Sequence, residues 1–181
     1  MEFVSMEKMP RLFREITITE KIDGGNAVIG IGEDGSFNVG TRTQWIDKGR
    51  DFHGLRDWAY DNKESLIEDL GVGLHRGEWY GKKIGRGYDL DHNRFALFNT
   101  HRWDKAEFNT ENLGCVPLLW SGRFTSTAVL MTMIDLNEKG SQMVPGYMRP
   151  EGLCIYHTQA NMYFKVMCEN DHLAKGQLKS D

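Results

Sequence analysis

Residues 19–42 read Thr-Glu-Lys-Ile-Asp-Gly-Gly-Asn-Ala-Val-Ile-Gly-Ile-Gly-Glu-Asp-Gly-Ser-Phe-Asn-Val-Gly-Thr-Arg. Two signals meet in that stretch. The chain runs apolar from Ala27 to Gly32, turns through Glu33-Asp34-Gly35 and returns from Ser36 to Arg42, and an Asp-Gly step between alternating runs marks a β-hairpin. Folding the two arms about Asp34 sets Arg42 opposite Asn26. Just ahead of the hairpin stands Lys21-x-Asp23-Gly24-x-Asn26. A lysine amine is ordinarily protonated, so a nucleophilic one needs neighbouring cations or desolvation. Gly24 and Gly25 remove side-chain bulk beside it, which predicts close approach of backbone and a phosphate, and Asp23 is placed to orient the lysine or a metal. Arg42 then reads either as a holder of phosphate or ribose or as a surface arginine closing the hairpin.

Further strands follow in order. Arg76 to Tyr88 combines a short aromatic strand with a glycine-rich basic loop, and Glu78 within it is a candidate acceptor for ribose hydroxyls. Phe95 to Asn99 is another strand, with Phe98 at its end suited either to stack on a purine or to sit in the core. Glu151 to Tyr156 and Met162 to Val166 form a last hairpin around residues 157–161. Pairing it so that Leu153 and Ile155 face Phe164 and Val166 puts Lys165 across from Cys154. Glu151 then falls just before regular pairing, where Gly152 permits a turn. A carboxylate and a lysine there suit a metal and an α-phosphate, or an ordinary ion pair at a strand end.

Helices are fewer. Phe52, Leu55, Ala59, Leu66 and Leu70 recur near helical spacing from Asp51 onward, with Gly71 placed to end the element. A second helix is predicted from about Phe124 to Lys139, begun by Ser121 and stopped by Gly140, with Met131 and Met133 in the core. The irregular stretch Ser141 to Pro150 leads to Glu151. With 181 residues the chain is read as one domain, residues 1–181, large enough to bury a substantial core. Three cysteines without CxxC spacing suggest neither zinc nor a disulfide framework and suit a reducing cytoplasm. The first fourteen residues lack a continuous apolar segment, and no membrane association is expected. Asp89, Asp91 and His92 read as a polar loop.

The ordered set KIDGGN, TR, GEWYG, FALFN, EGLCIY and YFKVM resembles motifs I, Ia, III, IIIa, IV and V of the covalent nucleotidyltransferases and spans residues 20 to 167. Within that superfamily, DNA ligases and capping enzymes usually carry arginine at the sixth position of motif I, whereas RNA ligases of the phage T4 RNA ligase 2 type carry asparagine, as Asn26 does here. The run GEWYGKKIGRGY also resembles the extended third motif of RNA ligases. The resemblance implies an α+β fold, with antiparallel sheets and flanking helices forming a nucleotide cleft, of the ligase adenylyltransferase or ATP-grasp-like kind. It implies an ATP-dependent RNA ligase using Mg²⁺ or Mn²⁺, in which Lys21 takes AMP from ATP, passes it to an RNA 5′-phosphate, and a 3′-hydroxyl then displaces it. A minimal DNA ligase domain, or a binding remnant that adenylylates but seals poorly, are the other readings.

By position, the resemblance makes Lys21, Asp23, Glu151 and Lys165 catalytic, with Glu151 also at the metal, and Glu20, Ile22, Asn26, Arg42, Glu78 and Phe98 nucleotide-binding. Glu20 would help read the adenine edge, Phe98 would stack on the base, and Lys165 would contact the α-phosphate. One feature departs from the family. Motif V typically carries two lysines one residue apart, and Tyr163-Phe164-Lys165-Val166-Met167 has one, which stands for either of the two; Lys82, Lys83, Lys175 or Lys179 are the candidates to replace the other, or it is absent and one of the three steps is weakened. Family members usually append an OB-fold or helical domain after motif V, and only 168–181 follow here, so no such domain is expected and a partner protein is a candidate clamp. A net charge of -4 makes any RNA contact local. Lys82, Lys83 and Arg86, with Arg76 and interleaved with Trp79, Tyr80 and Tyr88, are the expected basic aromatic surface for a strand, against a solvated loop.

Overall fold

Residues 2–172 are described in this computed structural model, so Lys175 and Lys179 lie outside the described residues. In chain order the elements are β1 (Glu15–Lys21), β2 (Gly25–Ile31), β3 (Phe37–Thr41), α1 (Leu55–Asp61), α2 (Lys63–Leu70), β4 (Gly73–Gly81), β5 (Asn93–Leu97), α3 (Thr100–Trp103), β6 (Leu113–Cys115), β7 (Leu118–Arg123), α4 (Ser126–Lys139), β8 (Gly152–His157) and β9 (Met162–Met167). The fold is α+β, as the motifs imply. Four strands form one sheet in the order β7-β1-β8-β9, and five form a second in the order β3-β2-β4-β5-β6. Every pairing is antiparallel except β5 with β6, which is parallel.

Period-two alternation decides which face of each sheet is covered. Ala27, Ile29 and Ile31 of β2 and Phe37 and Val39 of β3 point into a core capped by Leu55 and Ala59 of α1 and Leu66 and Leu70 of α2. Asn26, Val28 and Gly30 must then point the other way. In the four-stranded sheet Ile16 and Ile18 of β1 and Leu153 and Ile155 of β8 pack on Leu136 of α4, so Thr19 and Lys21 fall on the uncovered face. A third cluster, with Ile22, Tyr80, Tyr88, Ala96, Val116 and Tyr147, fills the junction between the sheets. Each sheet therefore has helices on one side and turns its other side toward a shared cleft.

Both predicted hairpins form in the expected register. Ala27 pairs with Thr41, so Asn26 and Arg42 are the next residues along. Leu153 pairs with Val166, Cys154 with Lys165 and Ile155 with Phe164. The helices differ in detail. Helical spacing from Asp51 resolves into two short helices broken at Asn62; Asp51 caps the first by accepting the Gly54 and Arg56 amides, and Gly71 ends the second. Phe52 lies outside them, its ring filling the space a Cβ on Gly25 would need. Ser121 does not begin α4: it sits in β7 opposite Thr17, and Thr125 is the N-cap, accepting the Ala128 amide at 3.0 Å. The cap falls there because β7 is held extended by β1 to Arg123. Met131 is 53% exposed, a correction to its core placement, while Met133 packs on the core beneath. The buried positions of α4 are Thr132 and Leu136, four apart on one face.

Among the described residues, no helix is long and apolar enough to cross a membrane. Replacing the cap, Thr125→Ala, is expected to lower stability by about 1 kcal/mol. Urea unfolding followed by circular dichroism checks it; an unchanged midpoint would place the start of α4 elsewhere.

Candidate active site

Lys21 closes β1 and faces the cleft. Its Nζ donates to Glu151 Oε2 at 2.6 Å, and the two side chains are 23% and 12% exposed. The register explains the meeting. Lys21 pairs with Gly152, so Glu151, one residue before β8 begins, comes level with the amine. Gly152 is required at that corner because a Cβ would collide with the Val166 carbonyl. The Cys168 amide donates to the Glu151 carbonyl at 3.0 Å, fixing the corner from β9's side.

The opposing wall is the uncovered face of the five-stranded sheet. Asn26 pairs with Glu78 across β2 and β4, and its Nδ2 donates to Glu78 Oε2 at 2.7 Å. Burial pushes the Glu78 carboxyl up to about 7, against the Asn26 hydrogen bond and the Lys21 charge, which pull it down, while Glu151 repels it. Lys21 and Glu151 are near enough to act on the Glu78 charge, so the two contacts together make the candidate site. Arg42 is exposed, and with Asn26 and Phe98 it lines an open cavity of about 320 Å³ on this wall. Phe98 follows β5 at the cavity edge, partly buried against the junction cluster.

On the floor, Cys154 lies in the row of Thr19 and Lys165. Burial pushes its thiol up, with Lys21 and Lys165 pulling down and Glu151 and Glu78 pushing up. That thiol stays protonated at neutral pH and does not compete as a nucleophile. Lys165 is exposed one row away from Lys21, whose own row runs Lys21, Gly152, Met167. Two residues after Lys165, in the row of Lys21, stands Met167, and two before it, in the row beyond, stands Tyr163.

Several expected site residues are placed elsewhere. Glu20 turns its side chain to the opposite face from Lys21 and is buried, its carboxylate accepting the Gln142 and Met143 amides at 2.7 and 2.9 Å. Desolvation raises its pKa, against the Ser141 hydroxyl and those amides. It anchors the segment leading to Glu151 rather than lining the cleft. Ile22 is buried in the junction cluster. Asp23 accepts the Arg86 amide at 3.0 Å and lies 3.7 Å from its guanidinium, and its own amide donates to Tyr88 Oη at 2.7 Å, so it ties down the 82–88 loop. Space beside Gly24 is taken by Trp79, Tyr80 and Glu78 atoms and beside Gly25 by Phe52. Those glycines admit protein neighbours, not a phosphate.

The expected basic aromatic surface does not form. Trp79, Tyr80 and Tyr88 are 2%, 0% and 1% exposed, each packed in a core because its position alternates inward or closes the junction. Lys82 and Lys83 are exposed, whereas Arg86 is engaged by Asp23 and by the Arg149 carbonyl at 3.5 Å. Lys82 lies close enough to Asp91 to lower that carboxyl, alongside the stronger pull of the His92 contact.

A sequence-family model described as RNA ligase matches residues 14–175. No curated protein matches the chain. Among solved structures, a Naegleria gruberi RNA ligase variant with ATP and Mn superposes with TM-score 0.61 at 19% identity, covering 87% of this chain and 51% of that one. Another variant of the same ligase with ATP and Mn gives 0.59 at 21%, covering 87% and 51%. A third, apo, gives 0.60 at 19%, covering 86% and 50%. At these identities the likeness shows the fold. The chain spans about half the length of the solved ligases it matches.

The raised Glu78 carboxyl sets a pH dependence. Because its folded pKa lies above the unfolded value, its contribution to stability is complete below about pH 4.5 and is lost as pH rises through about 7. Glu78→Gln, which keeps an acceptor for Asn26, should gain on the parent by roughly 2 to 3 kcal/mol between pH 5 and pH 8. Urea titrations of both proteins at the two pH values measure this; a constant difference would mean the carboxylate ionises there without penalty.

Proposed function

The chain belongs to the RNA ligase family, and from that premise we propose that it is an ATP-dependent RNA ligase working through a covalent lysyl-AMP on Lys21. The observation that carries the reading is the 2.6 Å contact between the Lys21 amine and Glu151 on a cleft floor shared with Lys165 and faced by Glu78 and Asn26. In the first step the Lys21 lone pair attacks the α-phosphorus of ATP, the bond to the bridging oxygen breaks, and pyrophosphate leaves. The amine must shed a proton to do this, and Glu151 already accepts its hydrogen bond, so the proton passes to that carboxylate. Glu78 accepts from the ribose hydroxyls, Phe98 stacks on adenine, and Arg42 holds the sugar or a phosphate.

In the second step an RNA 5′-phosphate oxygen attacks the same phosphorus, the P–N bond breaks, and the amine is reprotonated. Asn26, beside Glu78, is positioned to hold that 5′ end. In the third a 3′-hydroxyl attacks the 5′-phosphate and AMP leaves. Each is an in-line displacement in which cations neutralise charge building on oxygen. Lys165 supplies one such charge from the floor. The divalent ion would be carried mainly by phosphate oxygens, with Glu151 as the protein carboxylate. Mg²⁺ or Mn²⁺ bound so would withdraw charge from the α-phosphate. Glu20 and Ile22 support this site from behind.

The solved ligases bound to ATP and Mn support the choice of nucleotide and ion. Met167 in the row of Lys21 favours a second reading, a domain that adenylylates itself but transfers AMP poorly.

Incubation with Mn²⁺ and ATP labelled on the α-phosphate should leave the label on the parent protein, and Lys21→Ala should leave none. Chasing with a nicked duplex whose 5′-phosphorylated strand is RNA should move label to the RNA and then release AMP on sealing. Absence of label on the parent would sink the ligase assignment, retention of label through the chase would favour the second reading, and equal transfer to a DNA nick would widen the substrate to DNA.

A further inference from the structure

We propose that the cavity beside the nucleotide site is a subsite for a second nucleotide of the RNA strand, with Trp45 as its stacking platform and Arg76 as its phosphate contact. The inference rests on the ligase reading and names where the strand lies. The cavity starts at Asn26 and Phe98 and runs along the uncovered face of the five-stranded sheet to Trp45, passing Arg42 and Arg76. At about 320 Å³ it is of the size that holds a small ligand.

Trp45 is built into place. After β3 the chain turns back, with the Thr41 amide donating to the Gln44 carbonyl at 2.9 Å and the Ile46 amide to the Val39 carbonyl at 2.8 Å. Trp45 thereby bridges to Gly40 as an extra residue of the sheet. Its six-membered ring lies over two glycines, Gly30 of β2 and Gly40 of β3. A Cβ on Gly30 would come within 2.9 Å of Trp45 Cη2, and one on Gly40 within 2.9 Å of Cε3. Two missing side chains on adjacent strands thus make the seat of an indole that remains 48% exposed.

An indole held by backbone on one side and open on the other is a base-stacking surface, and guanidinium groups beside it track a phosphate backbone. Arg76 sits on the cleft face of β4, paired with Val28, two residues from Glu78 toward Trp45. Gly30 is four residues beyond Asn26, about 13 Å along β2. The AMP bound at Lys21 uses Phe98 for its base, which leaves Trp45 for another. With Trp79, Tyr80 and Tyr88 buried, the loop after β4 has no comparable platform.

The full chain is tested with a short 5′-phosphorylated single-stranded RNA carrying a fluorophore, by anisotropy, and with the two-step labelling assay. Trp45→Ala should raise the dissociation constant and the KM for RNA about tenfold, the loss of one base–aromatic stack, and leave the lysyl-AMP formed from ATP without RNA unchanged. Trp45→Phe should restore most of the affinity, and matching circular dichroism melts establish that both variants fold. Arg76→Gln should lower the salt slope of binding by about 0.7, one phosphate contact on a single strand. An equal fall in lysyl-AMP formation would assign the cavity to ATP and overturn the proposal, as would unchanged RNA binding in Trp45→Ala. Should the parent form no lysyl-AMP, the ligase reading fails by itself, and the anisotropy titrations still decide whether Trp45 and Arg76 hold RNA.

Discussion

The contact between Lys21 and Glu151 ties the end of β1 to the start of β8, and nearly every other feature of the cleft serves to hold or use it. It is a partly buried ion pair, so neither charge is fully hydrated and losing one partner would strand the other. The arrangement also sets a chemical requirement. For Lys21 to act as the nucleophile proposed above, the proton it donates in this contact must pass to Glu151 as the amine attacks.

Support for this pair comes from behind the sheet as well as from the cleft. Glu20 spends its carboxylate on two amides of the segment that ends at Glu151, and Asp23 spends its own on the 82–88 loop. Two acidic residues flanking Lys21 in sequence are thereby kept from pairing with it, and Glu151 and Glu78 face it instead. The contrast between Glu20 and Glu78 is instructive because burial raises both. One Glu20 oxygen takes both backbone amides while the other, Oε1, is buried without a partner among the described residues; Glu78 is eased by Asn26 and the Gly24 backbone and lies near the cleft, where donors on a ligand can reach it.

Most of this was legible wherever pairing is local. The Asp34-Gly35 turn set the register that brings Arg42 level with Asn26, and alternation in the last hairpin set Lys165 across from Cys154 with Glu151 just outside the ladder. What stayed illegible depended on which face a strand presents and on what occupies the other side. Nothing in the local pattern distinguishes an aromatic that faces a core, such as Trp79, from one that faces the cleft. The value of Gly24 and Gly25 likewise lay in distant residues, Phe52 and the β4 backbone, that fill the space beside them. Ser121 and Thr125 are equally good caps in isolation; β1 pairing through Arg123 made the choice. Trp45 carried no signal, because its importance rests on Gly30 and Gly40 lying side by side only once the hairpin has folded.

The same register reasoning bears on the single lysine of motif V. In an antiparallel sheet, residues two apart on one strand share a face and sit in successive rows, so two lysines one residue apart would place charges in two rows of the floor. Here the row shared with Lys21 ends in Met167, and the row beyond it holds Lys165. A cation in the nearer row would repel the Lys21 ammonium; a methionine supplies no such charge and leaves that task to whatever charge a ligand brings. Burial pushes the Cys168 thiol up, and Arg86, which offsets part of that rise and lies 3.7 Å from Asp23, is a fixed positive charge near that end of β9. Because Asp23 already engages it, the guanidinium contributes at a distance rather than by contact. On the mechanism proposed above, the amine would then be activated less by the protein and more by the nucleotide, with Lys165 one row away on the same face.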